Sequence, residues 1–90
     1  MRQENKDIEG MVVQIVMCES GGRPDAVGDN GKAYGLTQYH SQTFYLHAKR
    51  AGLANANWKN NQHQLTLLRW CLTEGNCGKE WTCWRRLFSY

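Results

Sequence analysis

Ninety residues with 41% hydrophobic content and four tryptophans suffice for one compact core and are too few for two. A net charge of +3 is mild: it favours an anionic polymer, but nucleic-acid-binding domains are usually more basic and more clustered, so no nucleic-acid partner is expected. No apolar run is long enough to span a bilayer, and the charged opening Met1-Arg2-Gln3-Glu4-Asn5-Lys6-Asp7 lacks the apolar centre of an export signal.

Ile8, Met11, Val12, Ile15 and Val16 recur at helical spacing, which predicts a first helix over residues 5–19 with Asn5 or Asp7 as its cap. Glu19 falls three and four residues after Val16 and Ile15 and so continues the apolar stripe. Gly21 and Gly22 end the helix and Pro24 prevents its resumption. A carboxylate beside an apolar face and near the negative end of a helix is disfavoured in its charged form, so its pKa is expected to rise.

From Gly21 to Gln38 no helical period appears. Asp29-Asn30-Gly31 is a turn signal, and Ala26-Val27 and Ala33-Tyr34 flank it as arms of a short hairpin. An irregular segment this long in so small a domain is more often functional than idle. Ser41 is expected to cap a second helix running to about residue 52, with Phe44, Ala48 and Ala51 inward and Gly52 ending it. The polar stretch Asn55 to Asn61 has Trp58 as its anchor. A third helix, Asn61 to Glu74, carries Leu65, Leu68 and Leu72 on one face and stops at Gly75. A last short helix from Lys79 to Leu87 brings Trp81, Trp84 and Phe88 together. With no repeat or linker, residues 1–90 read as a single domain, mainly α with a minimal β-hairpin (α+β), of about four helices and one long loop.

Four cysteines in so short a chain point to disulfide stabilisation. They allow three pairings, and spacing does not choose among them. A reduced cytosolic set is the bland alternative. Cys71, Cys77 and Cys83 stand too far apart for the tight ligand pairs of a zinc site, and His40, His47 and His63 show no ligand spacing. No metal or cofactor is expected, and the three histidines are read as lying at the surface or behind the site.

The run Cys18-Glu19-Ser20-Gly21-Gly22 is followed by Gly28-Asp29-x-Gly31-x-Ala33-x-Gly35-Leu36-Thr37-Gln38, and then by Thr43-Phe44. The pattern resembles the soluble lytic transglycosylase and goose-type lysozyme superfamily, over about residues 8 to 84. The Cys-Glu-Ser-Gly-Gly opening, the Thr-aromatic pair and the late Trp-x-Cys are most similar to its resuscitation-promoting factor branch. The resemblance implies a small lysozyme-like fold that cleaves the β-1,4 bond between N-acetylmuramic acid and N-acetylglucosamine in peptidoglycan. In it Glu19 matches the catalytic acid, Gln38 the loop glutamine of the cleft, and Thr43 a cleft-facing threonine. Tyr34, Tyr39 and Trp81 are read as sugar-stacking aromatics, each with a place in the core as the alternative. Glu74-Gly75 stands where the related branch carries Gln-Gly at the substrate groove, which makes Glu74 a departure and a candidate cleft carboxylate. The branch also implies a Cys18–Cys83 disulfide, leaving Cys71 with Cys77.

Mechanism divides on a second carboxylate. An inverting hydrolase needs a base about 6.5–9.5 Å from the acid, and a retaining one a nucleophile at about 5–5.5 Å. Asp25 and Asp29 are the loop candidates, Asp29 also being a natural turn former. With no such partner one glutamate acts twice, and the product is the 1,6-anhydro sugar. That lytic transglycosylase route needs no metal and is the resemblance's usual one. The alternatives are a hydrolytic lysozyme, a silent wall-binding relative, and a disulfide-stabilised binder of anionic polymers. The last leaves the spacing from Glu19 to Thr43 unexplained. The expected partner is a peptidoglycan glycan strand, met by a monomer outside the cytoplasm: in the wall or periplasm, secreted, or associated with a phage.

Overall fold

The computed structural model describes the backbone of residues 3–88 and the side chains of residues 7–88. Four helices, α1 (Gln3–Ser20), α2 (Ser41–Ala51), α3 (Asn61–Leu72) and α4 (Thr82–Phe88), surround one core, and three two-residue strands, β1 (Val27–Gly28), β2 (Ala33–Tyr34) and β3 (Tyr39–His40), form a small antiparallel sheet in the order β1-β2-β3. Val27 pairs with Tyr34, and Tyr34 with Tyr39. This is the mainly α, lysozyme-like, disulfide-stabilised domain that the pattern predicts. Within the described residues no helix is long and apolar enough to cross a membrane.

The apolar stripe of α1 supplies Val12 and Ile15 to a core completed by Phe44, Ala48, Leu67 and Leu68. A bidentate ion pair between Arg69 and Glu9, with N–O distances of 2.7 and 3.1 Å, ties α1 to α3 at the surface.

Several boundaries differ from expectation. Helix α1 includes Asn5 and Asp7 in its body, so neither is its cap. Helix α2 begins at Ser41 itself, with His40 in the cap position and no side-chain cap bond. Helix α3 is capped by Asn60, whose side chain accepts from the His63 N–H, and it stops at Leu72, two residues early. Its buried face is Gln64, Leu67, Leu68 and Cys71, while Leu65 and Leu72 are only partly covered. The last helix is divided: a 3₁₀ turn over Gly78–Glu80 precedes α4. Strand β3 was not foreseen, because two residues are too short a run to show a period.

Two disulfides close the molecule, Cys18–Cys83 and Cys71–Cys77. The first joins the end of α1 to the start of α4 across 65 residues; the second clips the turn after α3.

The long loop is pinned by a side chain that no motif announced. Gln64, fully buried in α3, accepts from the Thr37 N–H and hydroxyl at 3.1 and 2.7 Å. Its amide donates to the carbonyls of Tyr34 and Trp58, both at 2.8 Å. Gly35 makes this approach possible: at φ +87° it adopts a backbone that side chains resist, and a Cβ there would lie 2.6–2.8 Å from Asn61 and Gln64. Replacing Gln64 by Leu strands two buried groups of Thr37 and two partly buried carbonyls, and is expected to cost about 3 kcal/mol, read as a lower urea midpoint.

Candidate active site

A cleft of about 240 Å³ opens where the end of α1, the small sheet, α2 and the 3₁₀ turn before α4 converge. Glu19, Asp29, Gln38, Thr43 and Glu80 bring their polar side chains to it. Glu19 is half-buried at the close of the α1 stripe. Its Oε2 accepts from the backbone N–H of Cys83 at 3.3 Å. That N–H belongs to the first turn of α4, where no carbonyl within the helix is available to it. The Cys18–Cys83 disulfide links the residue before Glu19 to the residue that supplies this N–H.

Burial pushes the Glu19 carboxyl above the ordinary glutamate value of 4.5. The Cys83 N–H opposes the shift, the Asp29 charge adds to it, and Arg85 and Arg86 offset it weakly. Desolvation wins, so the proton is held more tightly than on a solvated glutamate.

Gln38 shapes the loop from within. It adopts φ 55°, unusual for a residue with a Cβ, and its amide donates to the carbonyls of Ala26 and Gly35 at 3.0 and 2.9 Å. Gly28 lies directly against it, since a Cβ at Gly28 would collide with the Gln38 amide oxygen. Asp29 also has positive φ, and its carboxylate pairs with His40 Nε2 at 2.7 Å across the sheet.

The predicted aromatics are distributed differently. Tyr39 and Trp81 border the cleft, but both are buried: Tyr39 meets Phe44 and Trp81 edge-on, and the Trp81 indole donates to the Thr37 carbonyl at 2.9 Å. Little of either ring is open to a stacking sugar. Tyr34 stands outside the cleft, edge-on to Trp58 and beneath the Lys59 ammonium. Asp25 is exposed and does not line the cleft. Glu74 belongs to a separate groove with Ile8, Glu9, Arg69 and Trp70, because α3 ends before it and the chain turns back over Trp70.

Three residues of the site carried no warning in sequence. His40 faces the cleft. Glu80 lies on its wall. His47, expected near solvent or behind the site, is 1% exposed beneath Glu80. Among the described residues, His47, Cys71 and Cys77 lie within 4.8 Å of one another, but the two sulfurs are bonded to each other and offer no thiolates to a metal.

Four helices, a small antiparallel sheet and two disulfides make this domain lysozyme-like in fold. The family described as the transglycosylase SLT domain matches residues 1–82, and the chain belongs to that family. Its members cleave glycosidic bonds in cell-wall peptidoglycan. No curated protein and no solved structure gives a match.

Proposed function

We propose that this domain, acting as a monomer outside the cytoplasm, is a lytic transglycosylase that cleaves the bond between N-acetylmuramic acid and N-acetylglucosamine, with Glu19 as its one acid and base. The observation that carries this reading is the place of the Glu19 carboxyl: half-buried on the cleft, with one oxygen held by the Cys83 N–H and its pKa raised by burial. A retained proton is what glycosidic cleavage requires of its acid.

Glu19 donates that proton to the glycosidic oxygen as the C1–O bond breaks, and the leaving sugar departs with a free 4-hydroxyl. The substrate's N-acetyl oxygen supports the cationic C1. The Glu19 carboxylate then takes the proton of the muramic 6-hydroxyl, whose oxygen bonds to C1 and closes the 1,6-anhydro ring. The acid is restored and no water is consumed.

Asp29, in the same cleft and close enough to act on Glu19, favours a second reading as a hydrolase. Its engagement with His40 weighs against a free base. Digestion of purified peptidoglycan in oxygen-18 water separates the two: anhydro ends without label support the transglycosylase, and labelled reducing ends support the hydrolase. Asp29→Asn is expected to change turnover by less than about tenfold. A loss as deep as that of Glu19→Gln in a folded protein would make Asp29 the second catalytic carboxylate.

A further inference from the structure

The cleft contains a carboxylate that the reaction above does not use. Glu80 Oε1 lies 3.0 Å from His47 Nε2, and His47 Nδ1 lies 2.8 Å from the Tyr39 hydroxyl. Tyr39 and His47 are 2% and 1% exposed, whereas the Glu80 side chain is about half exposed on the cleft wall.

The protons along this chain can be assigned. Burial holds the Tyr39 phenol far above its ordinary range, so it remains a donor. Its hydroxyl donates to His47 Nδ1, which places the imidazole proton on Nε2, and that N–H donates to Glu80. The reverse tautomer would set a nitrogen lone pair against the carboxylate. Burial also disfavours the imidazolium, partly offset by Glu80. Also near the ring are the Cys71 sulfur at 3.3 Å, the Cys77 sulfur bonded to it, and the tilted rings of Trp70 and Trp81 with centroids 6.1 and 6.2 Å away, and the Arg50 charge also disfavours protonation.

Glu80 is fixed from the backbone side as well. It ends the 3₁₀ turn Gly78–Glu80, its N–H donates to the Cys77 carbonyl at 3.1 Å, and Cys77 is bonded to Cys71 in α3. A half-exposed glutamate would ordinarily sample several rotamers. Here Oε1 is held by buried His47 of α2, Glu80 itself sits on a clipped turn, and among the described residues Oε2 has no hydrogen-bond partner.

We propose that Glu80 is a substrate-binding residue, its free oxygen accepting a hydrogen bond from a hydroxyl or N–H group of the bound glycan, and that Tyr39 and His47 are its positioning residues. The inference rests on the glycan reading of the cleft. It gives the Cys71–Cys77 clip and the buried histidine a shared purpose.

The test is direct binding in the Glu19→Gln background, where the glycan stays intact, using the tetramers of N-acetylglucosamine and of glucose. Adding Glu80→Gln is expected to raise Kd for the N-acetylglucosamine tetramer about tenfold. Adding Tyr39→Phe is expected to raise it about threefold, with no further effect once Glu80→Gln is present. A loss confined to the N-acetylated tetramer identifies the acetamido N–H as the donor, and a loss on both identifies a hydroxyl. Nitrogen NMR is expected to find the His47 proton on Nε2 in the parent. Unchanged Kd in Glu80→Gln, strictly additive losses, a proton on Nδ1, or no measurable binding by the Glu19→Gln chain would each overturn the proposal. Cleavage of peptidoglycan by the parent chain judges the catalytic reading separately.

Discussion

Glu19→Gln is expected to lower peptidoglycan cleavage by about 10³-fold or more while leaving the fold intact. The amide nearly matches the carboxyl in shape and can still meet the Cys83 N–H, but it has no proton to give. The same burial that equips Glu19 predicts two pH effects. Activity should fall as pH rises through the elevated Glu19 pKa, because the acid is lost. Stability has the same sign: a raised carboxyl pKa contributes fully below the ordinary value of 4.5, and that contribution disappears as the group ionises in the folded state. Glu19→Gln should therefore melt higher than the parent at neutral pH, with the gap closing near pH ~4. A variant that melts lower than the parent at neutral pH would contradict the desolvated acid.

Removing the Cys18–Cys83 bond is the other large effect. It closes a loop of 65 residues, for which chain entropy gives about 4 kcal/mol of stabilisation. For a domain of this size the Cys18→Ser/Cys83→Ser variant should melt about 15–30 °C lower. It should also turn over more slowly at temperatures where it remains folded. Cys18 precedes Glu19 and Cys83 supplies its backbone donor, so a shift of about 1 Å between them can cost on the order of a hundredfold. Differential scanning calorimetry and a turnover assay on the folded fraction measure the two effects. A variant that melts with the parent and cleaves as fast would contradict both.

The helices were legible in sequence where a period ran long enough to register. The stripe from Ile8 to Val16 located α1, and Gly52 marked the end of α2 with φ 73°. What failed was local. His40 occupies the position where Ser41 was expected to cap, and the 3₁₀ turn at Gly78–Glu80 broke what looked like one helix. The candidate cleft was most legible where it is continuous in the chain, from Glu19 through Gln38 to Thr43, all of which line it. His47 and Glu80 reach it from elements further along the chain, Gln64 holds its loop from α3, and a lone glutamine or histidine on a helix has no spacing to announce it. Tyr39 and Trp81 illustrate the converse. Their aromatic character suggested a sugar platform, but a ninety-residue domain uses its large rings to fill the core.

The central claim is that Glu19 is the acid for cleavage of the glycan strand. Mass analysis of the fragments released from purified peptidoglycan, by the parent and by folded Glu19→Gln side by side, tests it most directly. The account predicts fragments ending in 1,6-anhydromuramic acid from the parent and essentially none from the variant. Equal yields from the two, or none from the parent, would contradict it.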